Sequence, residues 1–118
     1  MTSKIVEQLK TGRVKNVVPF GSKNLPEPPY IVVKPESDPL GRGRAYRIIV
    51  HMSPGQNIFL EDYVRNDISV LLDDFAATTR NGNYNKIYTE QEYDDIIIQN
   101  DDKTISMGRI FLLPSKIF

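Results

Sequence analysis

At 118 residues, 40% of them hydrophobic and 25% charged, the chain has the size and composition of one folded globular domain, not of a disordered segment. Its 15 basic and 15 acidic side chains cancel, which argues against broad electrostatic capture of nucleic acid or of an anionic membrane. The lack of cysteine excludes disulfides, thiolate metal sites and a cysteine nucleophile.

No run approaches the roughly 18 apolar residues of a membrane span. The first ten residues carry charge at Lys4, Glu7 and Lys10 and hold no apolar signal-peptide core. The expectation is a soluble protein made where it works, folded as a single domain over residues 1–118.

In chain order, Thr2 or Ser3 is a candidate cap for a short helix from about Lys4 to Lys10. Ile5, Val6 and Leu9 form its apolar stripe, and Gly12 supplies a stop. Two turns are not stable alone, so this helix must dock. Val14 to Pro29 reads as irregular, broken by Gly21, Pro26, Pro28 and Pro29. Tyr30 to Lys34, rich in β-branched residues, predicts a strand with both faces at least partly covered. A turn-rich loop follows from Pro35 to Gly43. A second strand is predicted from Arg44 to about Met52. Tyr46, Ile48, Val50 and Met52 lie on its apolar face, and Ala45, Arg47, Ile49 and His51 on a mixed one.

After Ser53-Pro54-Gly55, the spacing of Leu60, Tyr63, Val64, Ile68, Leu71, Leu72 and Phe75 predicts one long amphipathic helix from about Ile58 to Asp74. Asn57 is the candidate N-cap, and Glu61 with Arg65 forms an i,i+4 pair worth about 0.3 kcal/mol. Ala76 to Glu92 is polar and reads as irregular. Two closing strands are predicted, Asp95 to Gln99 and Ile105 to Leu113, joined by an Asn100-Asp101-Asp102-Lys103 hairpin turn. The fold class is therefore α+β: an antiparallel or mixed β-sheet packed against one long amphipathic helix, with a short N-terminal helix.

The chemistry-bearing residues are sparse. His51 is the single histidine, and no Gly-x-Ser-x-Gly elbow accompanies it, so a structural strand histidine is favoured over a Ser–His–carboxylate catalyst. Gly41-Arg42-Gly43-Arg44 lacks the Gly-Lys-Ser/Thr ending of a phosphate loop, and no helix starts there. It reads as a basic hairpin tip or a solvated turn. Asp94, Asp95, Asp101 and Asp102 lack the spacing of a calcium loop. Tyr84, Tyr88 and Tyr93 stand among Glu90, Glu92, Asp94 and Asp95, an acidic setting that suits a protein interface better than stacking on a nucleic acid. No catalytic residue, metal or cofactor is assigned.

The layout resembles a known class. A short N-terminal helix leads to the Pro28-Pro29-Tyr30-Ile31-Val32-Val33 strand. Then come a long loop, the Arg44-Ala45-Tyr46-Arg47-Ile48-Ile49-Val50 strand, the helix from Leu60-Glu61-Asp62-Tyr63-Val64 to Phe75, and a terminal strand pair. Over nearly the whole chain, this order is similar to the tail-terminator, tail-completion and head–tail joining proteins of long-tailed bacteriophages. The resemblance implies a structural virion protein at the head–tail interface, present in the host cytoplasm during assembly. Such a protein forms a ring, typically a hexamer, that ends the tail tube and joins it to the head. Its partners would be copies of itself, the tail tube protein and a head-completion or connector protein. It would need no membrane, specific nucleic acid or catalytic group. The terminator, completion and head-proximal connector roles all stay open.

A ring subunit needs two different complementary patches. Two long polar loops, 35–43 and 76–93, are candidates: the first is basic at Arg42 and Arg44, the second acidic around Glu90 and Glu92. The interface candidates are Arg42, Arg44, Tyr84, Tyr88, Glu90, Glu92 and Phe118. The alternatives are a small nucleic-acid-binding module using the Arg42–Arg47 hairpin, and a hydrolase centred on His51.

Overall fold

The computed structural model describes residues 2–37, 43–72, 88–89 and 97–114, with side chains at all of these except 43, 44, 88, 89 and 112–114. It is an α+β fold with a mixed sheet. Helix α1 spans Thr2–Leu9 and strand β1 Val17–Pro19, followed by β2 (Tyr30–Glu36) and β3 (Gly43–Met52). Helix α2 (Asn57–Asp62) leads to β4 (Tyr88–Thr89), β5 (Ile97–Gln99) and β6 (Ile105–Pro114). Among the described residues, the strands lie in the order β1-β2-β3-β6-β4, with β5 pairing β6 as well. β1 runs parallel to β2, and the other pairings are antiparallel.

β3 and β6 pair over ten residues, from Gly43 opposite Pro114 to Met52 opposite Ile105. Gly108 sits where Ile49 crosses it: a Cβ there would lie 3.1 Å from Ile49 Cγ1. Alternation in this ladder puts Tyr46, Ile48, Val50 and Met52 with Ile105, Met107 and Phe111 on one face, where they join Ile31 and Val33. Both helices cover that face. Ile5, Val6 and Leu9 of α1 and Leu60, Tyr63, Val64, Ile68 and Leu72 complete one cluster of buried side chains.

The second helix departs from the continuous α-helix predicted over 58–74. The described helical run is 16 residues, 57–72, in three parts: α2, a π-helical turn over Tyr63–Asp67, and a further turn over 68–72. The apolar stripe survives because Tyr63, Val64 and Ile68 still face the sheet. Residues 73 to 75 lie outside the described residues. Asn57 is the first helical residue and not the cap; Gln56 holds the cap position and makes no side-chain capping bond. The Glu61–Arg65 pair is formed at 3.1 Å.

Other differences are local. α1 starts at Thr2, so Thr2 and Ser3 lie inside the helix instead of capping it. The Val14–Pro29 segment is not wholly irregular, since β1 docks there through Phe20 N–H on Val33 O and Ile31 N–H on Asn16 O, both at 2.8 Å. The polar stretch 76–92, read as irregular, contributes the two residues of β4. β2 runs on to Glu36, beyond the predicted Lys34. The predicted hairpin turn is present. Asn100 N–H bonds Thr104 O at 2.9 Å, Lys103 N–H bonds Asn100 O at 3.0 Å, and Lys103 takes φ of 72°.

One buried phenol ties the segment after α1 to the π-helical turn. The Tyr63 hydroxyl accepts the Val14 N–H at 3.2 Å, and Arg13 lies over the Tyr63 ring, 5.7 Å from its centre. Gly12 is required beside it, because a Cβ there would sit 2.6 Å from that hydroxyl and 2.8 Å from Leu71 Cδ1. Tyr63→Phe keeps the ring and strands a buried N–H, so it should cost about 1–3 kcal/mol. Equilibrium urea denaturation will read this as a lower midpoint with an unchanged slope.

Candidate functional site

The face of the sheet turned away from the helices carries the second group of side chains. In a two-layer fold this face is normally polar, alternating with the buried one. Here Tyr30, Val32, Ala45 and Ile110 are all buried on it. A groove of about 310 Å³ opens on this face, lined by Phe20, Leu25, Tyr30, Val32, Ile49 and His51 together with Pro19, Gly21 and Ser22. Two of these side chains stand out into solvent: Phe20 is 60% and Leu25 56% exposed. β2 and β3 supply the groove floor, and the turn after β1 supplies its wall.

Two structures border the groove. At one end, Tyr30 and His51 face each other across β2 and β3 and stack with ring centres 4.4 Å apart and planes 7° from parallel. On the flank, Lys34 and Arg47 share one carboxylate: Glu36 Oε1 lies 3.7 Å from Lys34 Nζ and accepts the Arg47 Nε–H at 3.0 Å. Lys34 also lies 4.9 Å from the centre of the Phe20 ring. Among the described residues, two cations on one anion leave the flank net positive.

The ladder places Ser106 opposite His51, and the Asp102 carboxylate acts on the imidazole electrostatically. These are the residue types of a serine-hydrolase triad, but the bonds are those of a hairpin. Ser106 is buried and accepts from Asn100 Nδ2 at 3.2 Å. Asp102 accepts from the Thr104 N–H at 3.0 Å and the Thr104 hydroxyl at 2.6 Å, which holds its carboxyl below the usual range. His51 Nδ1 is buried with no hydrogen-bond partner among the described residues. The nucleophile–base and base–orienter hydrogen bonds that define such a triad are therefore not made between these residues.

A second apolar cluster stands at the start of α2. Ile58 is 82% and Phe59 62% exposed, next to the carboxylates of Glu61 and Asp62. Neither belongs to the buried stripe that begins at Leu60. Two large apolar residues off the stripe, at the first turn of a helix, are the sequence signal that could have marked them. Phe20 and Leu25 carried no comparable signal, because only the turn after β1 brings them beside β2 and β3.

A wider concavity of about 550 Å³ lies between Thr11–Lys15 and the helical run, lined in part by Arg13, Asp67, Val70 and Leu71. Its main polar groups are spent on each other. Arg13 donates to Asp67 Oδ2 at 3.0 Å and 2.8 Å, and that hydrogen bond raises the guanidinium pKa above its ordinary value.

Of the interface candidates read from the sequence, Arg44 and Tyr88 have described positions. Arg42, Tyr84, Glu90, Glu92 and Phe118 lie outside the described residues. Arg44 takes its register position opposite Leu113, and Tyr88 opposite Leu112, which places both in strands next to or paired with the C-terminal half of β6. Neither position adjoins the groove. Among the described residues, no group of three or more His, Asp or Glu is arranged to hold a metal, and no helix is long and apolar enough to cross a membrane. Compared with protein-family models and with curated proteins, the chain matches none.

Burial lowers the His51 pKa below its ordinary 6.5, with Asp102 partly opposing. Protonation would also place an N–H at Nδ1 with no acceptor among the described residues. The neutral ring is thus favoured in the folded state, and the unfolded chain binds more protons. Stability should fall as the pH drops below about 6.5 toward the folded-state value. His51→Phe keeps an aromatic partner for Tyr30 and removes the titration. Urea midpoints measured between pH 7.5 and pH 5 should decline for the parent and stay flatter for the variant.

Proposed function

We propose that the chain is a structural subunit of a bacteriophage head–tail interface, forming a ring that terminates the tail tube and joins it to the head. The observation that carries this reading is the groove on the sheet face turned away from the helices. Apolar side chains as exposed as Phe20 and Leu25, beside a flank of paired charges, have the make-up of a protein-binding surface: an apolar centre with a polar rim. The α+β architecture, with a mixed sheet and helices on one face, supports the reading only as far as the element order that carries the resemblance. A head-proximal connector is the neighbouring form of the same role, differing only in which ring it contacts.

In this reading the partners are copies of the chain, the tail tube protein and a head-completion or connector protein. Arg42 and, near the start of β3, Arg44 meet an acidic surface of a neighbour or of the tube. The acidic segment with Tyr84, Tyr88, Glu90 and Glu92, and the apolar tail ending in Phe118, supply further contacts. The nucleic-acid alternative would draw on Arg47, but that guanidinium is already committed to Glu36.

Purified chain mixed with tail tubes should appear in negative stain as a cap on one tube end and should stop further tube growth. Tubes that stay open and continue to elongate would overturn the proposal. Arg42→Glu with Arg44→Glu should reduce both the size of the assembly and the fraction of capped ends. Unchanged values would remove these two cations from the interface.

A further inference from the structure

Four of the large hydrophobic side chains exposed on the described surface form two separate pairs. Phe20 and Leu25 wall the groove on the face of the sheet turned away from the helices. Ile58 and Phe59 project from the first turn of α2, which packs on the opposite face. One pair lines a concavity and the other forms a knob. A knob on one face and a groove on the other do not fit a single two-fold interface, because one interface cannot hold both faces of a subunit. Joined between copies they would give a head-to-tail contact, which generates a ring when the rotation closes.

We propose that Ile58 and Phe59 of one copy seat in the Phe20–Leu25–Val32–Ile49 groove of the next. The inference rests on the ring-subunit reading above and deepens it by naming the self-interface. Charge supports the pairing. The groove flank carries Lys34 and Arg47 against the single carboxylate of Glu36. The knob is followed by Glu61 and Asp62, with Asp67 one turn on, against Arg65 and Arg13. Counted over the described residues, a net positive flank thus receives a net negative collar. Asp102 marks the other end of the groove, beyond His51, so the same charges also fix direction: the collar lies toward Lys34, not toward the hairpin.

The size of the contact sets its strength. A phenylalanine and an isoleucine with their counterparts bury a few hundred Å², below the roughly 800 Å² per partner of a standard interface. The pair is therefore the apolar centre of a weak contact. Copies associate mainly when concentrated or when held side by side on another assembly.

The absence of cysteine makes the contact directly testable. A chain carrying both Leu25→Cys and Phe59→Cys should, under mild oxidation at high concentration, give a ladder of covalent oligomers on a non-reducing gel. Each single variant should stop at dimers. Phe59→Cys combined with Val70→Cys, a site 60% exposed on the same helical run, is the control for random collision. Adding Ile58→Asp to the reactive pair should slow the ladder at least tenfold, and so should Glu61→Lys with Asp62→Lys. These positions are exposed, so the core is left intact; matching urea midpoints will verify this. The proposal is overturned if the Leu25/Phe59 pair yields nothing beyond dimers, ladders no faster than the Val70 control, or is indifferent to Ile58→Asp. A ladder from a chain that does not cap tail tubes supports the self-interface and removes the virion reading. Capped tubes from a chain that gives no ladder remove the self-interface alone.

Discussion

The ten-residue ladder between β3 and β6 is the constraint on which the other features depend. It joins segments about sixty residues apart in the chain, so its closure entropy must be offset by what it buries. On the helix side it builds the floor under both helices, from Tyr46 and Phe111 at one end to Met52 and Ile105 at the other. Along its second edge, β6 takes β5 beside its first half and β4 beside its second. A one-residue slip would turn Arg47 and His51 into the core and expose Ile48 and Val50. Gly108 helps to hold the register, because any side chain there would press on Ile49, and only this alignment puts the glycine under that residue.

The same register determines what the outer face can be. It sets His51 against Tyr30, Ile49 against Val32, and Arg47 against Lys34, so the face grades from stacked rings through apolar floor to paired charges. The gradation follows from pairing alone and involves no helix. The turn after β1 then raises Phe20 and Leu25 beside the apolar floor and makes a groove of it. The lysine that lies against the Phe20 ring belongs to the flank ion cluster. Groove floor and groove charge are thus set by a few neighbouring residues of β2 and β3, and groove shape by the turn after β1.

Local pattern was readable in the sequence where the signal was periodic and long. The two faces of β3 follow from strict alternation, and the helical stripe from Leu60 to Leu72 follows from its spacing. The Asn100–Lys103 turn follows from its polar run between apolar segments. What was not readable depends on partners far away in the chain. β1 is three residues long and exists because Val17 to Pro19 meet Ile31 to Val33 in parallel. β4 has two residues, and β6 is its partner. The π-helical turn leaves the apolar periodicity nearly intact, so the sequence stripe does not reveal it. The groove was illegible for the same reason as β1. Phe20 and Leu25 sit in a glycine- and proline-rich stretch, and only its docking on β2 gives them neighbours.

An exposed phenylalanine at the start of a helix has no role in the helix itself. The first turn of α2 would form as well with polar residues at 58 and 59, because the stripe that anchors it begins at Leu60 and continues through Val64 and Ile68. Apolar groups at these positions add exposed surface without adding to the core, which makes the chain more prone to self-association. The groove poses the same problem, since Ile49 and Leu25 could be polar without disturbing the helix-covered face. Two such apolar features on opposite faces, each flanked by charge of opposite sign, raise the risk of open-ended polymerisation. That risk is contained if the contact is weak in solution and the geometry closes. In the proposed head-to-tail contact a small knob in a shallow groove would be suited to this, because it would give direction and register to neighbours that another assembly had already gathered.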